Sequence, residues 1–377
     1  MSNSQQRSPS DGGQPSKAPG AYSLAEILSQ PQCWSSCLTK VRESGILEEV
    51  RDRFIDCDEY ILIGCGSSYY VALCAAATMT SFGVRARALP ASELLLYPDL
   101  VLAGSKRSVP LLISRSGQTS EVLQAAELLR SRSIATLAIS CVEHQALEQL
   151  ASVTITLPAA DEKSTVMTRS FTSMLLVLQA LAATLAKRPD ISKLLARLPD
   201  LATPAFADLP EKVRAFVAQH RFADYVCLGQ GPFFGLACEY ALKVTEMSVS
   251  YAQVFHTLEF RHGPKSIVAP EVLLVFILSE QGQQAECDML EEMKSLGGTI
   301  LVVANHADKR VRAAADLLID LAIDAPEITT LAPMLVTGQL LGLYSGLKKN
   351  LDPDSPRNLS RAVILNKPST TPEHAAL

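Results

Sequence analysis

The chain repeats itself, and that constrains its fold more than any other feature. DEYILIGCGSSYY, from Asp58, is matched by ADYVCLGQGPFF, from Ala223, 165 residues on, so that Gly64 falls on Gly229 and Gly66 on Gly231. LLISRSGQT from Leu111 falls on FILSEQGQQ from Phe276, and IATLAIS from Ile134 falls on TILVVAN from Thr299, at the same spacing. Three matches at one offset without a gap predict a duplicated domain.

Each copy alternates short apolar runs with helical patterns: YILIG then SYYVALCAAATMTSF, VPLLIS then TSEVLQAAELLRS, IATLAIS then HQALEQL, then VTITL and the long segment MTRSFTSMLLVLQALAATLA. Strands alternating with helices predict a parallel sheet covered on both faces, so the expected class is α/β, two tandem doubly wound, flavodoxin-like sheets. A length of 377 residues with 48% hydrophobic content is enough for two cores.

The expected boundaries are a disordered tail at 1–20, which is almost free of apolar residues, a first domain at 21–195 and a second at 205–347. A Pro-rich terminal arm covers 348–377. Arg188 to Asp208, with several prolines, reads as the linker, and Ser23 as the N-cap of the first helix.

Composition excludes some classes. The formal net charge is −5 with Lys and Arg scattered, so there is no electrostatic footprint for a nucleic acid. The longest apolar runs fall short of the roughly 20 residues that span a bilayer, and no secretory signal opens the chain; a soluble, cytoplasmic protein with no membrane partner is expected. Nine cysteines without a CxxC pair or Cys/His metal spacing read as reduced core thiols, and neither metal nor cofactor is called for. CWSSC, Cys33 to Cys37, reads as helix packing or as a redox pair.

The two copies have kept different chemistry. At the end of the LLIS strand the first copy carries Ser114, Ser116, Thr119 and Ser120. At the 165 offset Ser116 meets Gln281 and Thr119 meets Gln284, and only Ser114 keeps a serine, Ser279. A strand end followed by a helix start favours an anion, and the GCGSS loop with Ser67 and Ser68 follows its strand in the same way. The hydroxyls read either as turn formers and caps or as a phosphate cradle without a lysine.

The second copy reverses the asymmetry. GLACEYALKVTEMS places Glu239, Lys243 and Glu246 on one helical face, where the first copy has Cys74, Thr78 and Ser81. This is either a surface i,i+4 ion pair or a site. LEFRHGPKS holds His262 in a loop, solvated or available for proton transfer near neutral pH.

With these motifs in order, AEILSQP, GCGSS, SRSGQTSE, MTRSFT, EYALKVTE, EFRHGP and SPRNLSRAV, the chain resembles the SIS (sugar isomerase) family of tandem phosphosugar-binding domains over roughly residues 21–365. It is most similar to the isomerase half of glucosamine-6-phosphate synthase and to amino-sugar-phosphate deaminases of the AgaS type. The resemblance implies a phosphate loop at Ser114, Arg115, Ser116 and Thr119, with Ser67 and Ser68 opposite, and sugar contacts at Thr165 and Thr168. It implies Glu246 as the base between C1 and C2, its pKa raised beside Glu239, with Lys243 opposing that shift or anchoring the pair. His262 would assist ring opening from the neighbouring subunit of a homodimer with shared active sites.

Two departures bear on the reaction. The synthase's glutaminase is not in this sequence, so a glutamine-independent enzyme is expected. Arg361 occupies the place of the synthase's Schiff-base lysine, and a guanidinium stays protonated and cannot be that nucleophile. The expected function is therefore a hexosamine-6-phosphate deaminase/isomerase, giving ketose phosphate and ammonia. The alternatives are an aldose/ketose phosphate isomerase, a fructosamine-phosphate deglycase or a non-catalytic sugar-phosphate sensor.

Overall fold

A computed structural model describes residues 18–103 and 107–365. Residues 1–17 of the expected tail and 366–377 of the expected arm lie outside the described residues. The first half holds strands β1 (Glu59–Gly64), β2 (Ala86–Pro90), β3 (Ser108–Ile113), β4 (Leu137–Ser140) and β5 (Val153–Thr156). Its helices are α1 (Ala21–Leu28), α2 (Gln30–Ser44), α3 (Ile46–Arg53), α4 (Ser67–Ser81), α5 (Ala91–Leu96), α6 (Pro98–Val101), α7 (Ser120–Ser131), α8 (Ala146–Leu150) and α9 (Arg169–Leu185). Between the halves run α10 (Pro189–Ala202) and α11 (Leu209–Gln219). The second half then has strands β6 (Asp224–Gly229), β7 (Ala252–His256), β8 (Val272–Ile277), β9 (Thr299–Ala304) and β10 (Leu317–Asp320). It is completed by α12 (Phe234–Ser248), α13 (Gln283–Ser295), α14 (Lys309–Ala314) and α15 (Leu331–Lys348).

The strands form two five-stranded parallel sheets, ordered β2-β1-β3-β4-β5 and β7-β6-β8-β9-β10. These are the expected doubly wound sheets, twice, with helices on both faces. Their registers correct the gapless repeat. Tyr60 opposes Val109, while Tyr225, 165 residues beyond Tyr60, opposes Leu273, only 164 beyond Val109. Leu111 pairs with Leu137 and Val275 with Leu301, again 164 residues on. A one-residue slip sends every side chain of a strand to the other face. The structure avoids this by dropping a residue, so Leu111 and Val275 both face the helices shared by the two halves.

That sharing is a second correction. Instead of two cores, one large cluster joins α4 and α9 of the first half to α12 and α15 of the second, through Val71, Ala75, Leu176, Leu236, Tyr240 and Leu340 among others. Smaller clusters back each sheet on its far side, under α7 in the first half and under α13 in the second. Gly235 lets α12 cross α4 closely: a Cβ there would stand 2.5 Å from Cys74 Sγ.

The expected linker is also structured. Pro189 sits in the first turn of α10, where a missing N–H costs nothing, and Ile191, Leu195, Leu198 and Ala202 give the helix a buried stripe against its neighbours. Helical periodicity outweighed the prolines. At the N-terminus the fold begins before residue 21: the Gly20 N–H donates to Asp352 Oδ1 at 2.9 Å. Ser23 lies inside α1 rather than capping it. The acceptor for the α1 amides is Asp354, which receives the N–H groups of Tyr22 (2.9 Å) and Ser23 (2.7 Å) and the Ser23 hydroxyl (2.7 Å). The described part of the arm thus folds back on the first helix.

Candidate active site

In the first sheet β1 and β3 are neighbours, but α4, which follows β1, lies on the shared-core face, while α7, which follows β3, lies on the far face. The connections diverge there and open a crevice at the strand ends, with both helix starts beside it. The GCGSS and SRSGQTS loops follow β1 and β3 at this shared strand-end edge. Gly64 permits the first of these loops, since a Cβ would stand 2.5 Å from the backbone carbon of Ser68.

The second loop is a tight turn. Gly117 has φ of 65° and donates its N–H to Ser114 Oγ at 3.2 Å, and Ser114 Oγ and Thr119 Oγ1 are 3.2 Å apart. The Gln118 N–H donates to Ser116 Oγ, also at 3.2 Å. Among the described residues, the N–H groups of Ser116 and Thr119 have no acceptor. Inward hydroxyls with open amides beside a helix start suit an anion.

Behind the crevice lies the cluster carried by α12. Glu239 and Lys243 are fully buried, which removes the surface-pair reading. Lys243 Nζ is 3.0 Å from Glu239 Oε1, in tighter contact with Glu246 Oε1, and 3.4 Å from Ser67 Oγ. The Ser67 hydroxyl donates to Glu239 Oε1 at 3.0 Å. Ser67 is therefore engaged by the carboxylate of the other half, while Ser68 contacts Met167 Sδ at 3.9 Å.

Burial pushes Glu239 up to about 7, with Lys243 pulling it down and Glu246 pushing it further up. Burial alone would lower the Lys243 ammonium, but the two carboxylates overcome it and hold it above its ordinary value. Lys243, enclosed by two carboxylates, anchors the cluster. Glu246 is its exposed edge, with 13% of its side chain accessible.

Three expected ligand residues are engaged elsewhere. Arg115 is buried; it meets Glu162 Oε2 at 3.3 Å and donates to the carbonyls of Thr165 (2.8 Å) and Arg361 (2.7 Å). Thr168, expected on the sugar, is fully buried and gives its N–H (2.6 Å) and hydroxyl (2.7 Å) to Glu162 Oε1. Thr165 is half-buried and donates its N–H to the Asp354 carbonyl at 2.9 Å. Glu162, absent from the sequence-based site, is the hub: it also accepts from the N–H and hydroxyl of Ser170, at 3.1 and 2.5 Å. A lone glutamate shortly before MTRSFT carried no distinguishing sequence signal.

Arg361 pairs with Asp161, and burial followed by repulsion from Arg115 lowers its pKa. The arm continues along the loop: the Ser120 N–H donates to the Val363 carbonyl at 3.1 Å, and the Leu365 N–H to Ser120 Oγ at 2.9 Å.

His262 is exposed and follows a 3-10 turn, Thr257–Arg261, whose Phe260 is buried under α13. Arg261 and Lys265 pin the loop to Glu292 of α13 at 2.8 and 2.7 Å. The loop therefore belongs to the face of the second sheet opposite α12, and no hydrogen bond or ion pair joins His262 to Glu239, Lys243 or Glu246. All nine cysteines are free; Cys33 and Cys37 are buried on α2, with Cys33 Sγ 3.3 Å from Ser173 Oγ. No described helix is long and apolar enough to cross a membrane.

The second half keeps this serine–glycine contact on a different backbone: Gly282 has φ of −90° and caps α13 directly, while Gly117, with φ of 65°, lies two residues before Thr119, the N-cap of α7. The Gly282 N–H donates to Ser279 Oγ at 2.9 Å, as Gly117 does to Ser114. There the chain supplies the anion. Buried Glu286 accepts the N–H and hydroxyl of Ser279, at 2.8 and 2.9 Å, and Glu327 accepts the Glu280 N–H at 2.5 Å.

Comparison with known proteins shows the family. The profile of the SIS domain matches residues 53–184 and 226–343. The glutamine–fructose-6-phosphate aminotransferase (isomerizing) of Pyrobaculum aerophilum is 27% identical over 360 residues, covering 91% of this chain and 57% of that protein. The same enzyme of Pyrococcus horikoshii is 28% identical over 355 residues, covering 91% and 58%. The chain thus spans a little over half the length of these relatives. Among solved structures, glucosamine-6-phosphate deaminase of Thermotoga maritima is 28% identical with a TM-score of 0.73, covering 92% of this chain and 100% of that one. Tagatose-6-phosphate ketose/aldose isomerase of Escherichia coli shares the fold, with a TM-score of 0.80 at 24% identity, covering 93% and 99%.

Proposed function

Since the chain belongs to the SIS domain family, we propose that it is a hexosamine-6-phosphate deaminase with isomerase action. The supporting observation is the α12 cluster, a buried Lys243 binding two carboxylates of which only Glu246 reaches the surface, set against Ser67 at a crevice whose other wall has open amides and hydroxyls. In this reading Ser114, Ser116 and Thr119 hold the phosphate, leaving the sugar to extend toward α12.

His262 of a neighbouring subunit opens the ring, since the loop that carries it lies across the sheet from Glu246 of its own chain. Glu246 takes the proton from C2 of the open amino aldose and returns it to C1, while one amine N–H proton passes to the aldehyde oxygen, so that C1 becomes a hydroxymethyl group and the C2 amine an imine. Water adds to that imine, and ammonia leaves with the ketose phosphate. Glu239, Ser67 and Lys243 hold Glu246 in place. Lys243 is enclosed and Arg361 is a guanidinium, so neither is suited to covalent attack on the sugar.

Purified protein should release ammonia from glucosamine 6-phosphate or galactosamine 6-phosphate. Interconversion of an unaminated aldose and ketose phosphate with no ammonia from either hexosamine would replace this reading with the plain isomerase. Binding without turnover of any sugar phosphate would make the chain a sensor.

A further inference from the structure

Both halves carry a glutamate in the connection between the fifth strand and the long helix. Glu162 lies between β5 and α9, and Glu327 between β10 and α15. They face opposite ways. Glu327 turns onto the loop after β8 and occupies the Glu280 N–H. Glu162 turns away from the loop after β3, onto the amides and hydroxyls that open α9 and onto Arg115, and the Ser116 and Thr119 amides stay open.

One residue that differs lies between them, beside the replacement of Thr168 and Ser170 by Pro333 and Leu335 at the same spacing. Arg115 follows Ser114 directly in the turn, and the corresponding place after Ser279 is held by Glu280, which repels a carboxylate instead of drawing one. Arg115 is almost fully buried and reaches Glu162, the Thr165 carbonyl and the Arg361 carbonyl together, so its guanidinium is fixed from three sides. A fixed, always-charged fork restrains a carboxylate, as a flexible ammonium would not.

We propose that Arg115 is a positioning residue that keeps Glu162 off the phosphate loop. Without it the Glu162 carboxylate occupies the loop amides, as Glu327 does in the second half, and competes with the phosphate as an internal anion. Arg115 keeps the site vacant for ligand and does not itself grip the phosphate. This rests on the reading of the first-half loop as the phosphate site.

The test uses the full chain and inorganic phosphate, followed by phosphorus NMR titration, with circular dichroism to verify folding. Wild type binds phosphate. Arg115→Met raises the dissociation constant ~tenfold or more, because only the fraction with Glu162 swung away is competent. Adding Glu162→Gln to that variant recovers most of the loss, since a neutral amide does not compete as an anion.

Breaking a buried pair by removing one partner can unfold a chain, so a second comparison avoids the lone buried charge. Glu162→Gln and the double variant bind phosphate within about threefold of each other. A double variant as weak as Arg115→Met, or much weaker than Glu162→Gln alone, would mean that Arg115 contacts phosphate directly and would overturn the inference. Full affinity in Arg115→Met would overturn it as well. Absence of phosphate binding in wild type would instead remove the reading of the loop on which it rests.

Discussion

At Glu246 a change of one atom separates chemistry from architecture. Glu246→Gln keeps the volume and a hydrogen-bond acceptor for Lys243 while removing the base. It is expected to lower kcat for ammonia release by about 10²–10⁴, the usual contribution of a positioned acid–base group, with little change in melting temperature. An unchanged kcat would remove Glu246 from the mechanism. Glu239 leaves a different signature. Its folded-state pKa of about 7 lies above the ordinary 4.5, so between these values the folded chain binds more protons than the unfolded one. Its contribution to stability is present at pH 4.5 and is lost as pH rises through 7. Urea unfolding at pH 5 and pH 7 should show that loss, and Glu239→Gln should flatten it. Lys243 does not blur the window, because its ammonium is protonated across it in both states.

Among the elements, α12 is placed by α15. Gly338, Gly342 and Gly346 recur every four residues along α15 and face Tyr240, Lys243 and Met247; a Cβ at Gly342 would stand 2.6 Å from the Lys243 carbonyl oxygen. The sequence reading did not single out this stripe, and its partner is set only by the fold. Gly342→Ala gains helix propensity yet forces the two backbones apart, so a net loss of about 1–3 kcal/mol is expected, read as a lower urea midpoint. Because the displaced segment carries Lys243, kcat should fall with it; an unshifted midpoint would show that the helices adapt. Strands β1, β3, β4 and β5 were legible from their apolar patterns, as were α4, α7, α8 and α9, and β6, β8 and β9 followed through the repeat; β2, β7 and β10 were not read, because these edge strands are only half-buried. The α10 helix was missed because its prolines read as breakers, and the α1 cap was misplaced because its acceptor, Asp354, comes from the far end of the chain.

For the whole molecule, one apolar cluster spans both halves, so the chain should unfold as one unit. Calorimetry should give a single transition with equal calorimetric and van't Hoff enthalpies; two resolved transitions would show that each half is stable alone. The separation of His262 from Glu246 has a consequence in solution. Under the proposal that His262 acts from a neighbouring subunit, refolding Glu246→Gln together with His262→Ala should restore activity that each has largely lost alone, because a mixed dimer would then hold one site with both native residues. No recovery would place both groups of a site in one chain.

The sequence by itself determined the duplication, the doubly wound class and the residues in which the copies differ, because hydrophobic periodicity and turn residues are local properties of the chain. Only the tertiary structure decided where those residues sit and what they contact. The one-residue slip between copies follows from which strand face meets the shared core. Lys243 is buried rather than on the surface because α4 and α15 close over it, and Arg115 turns to Glu162 because the β5–α9 connection passes beside the loop after β3. These outcomes depend on contacts between residues far apart in the chain, and spacing along a chain carries no direct record of burial.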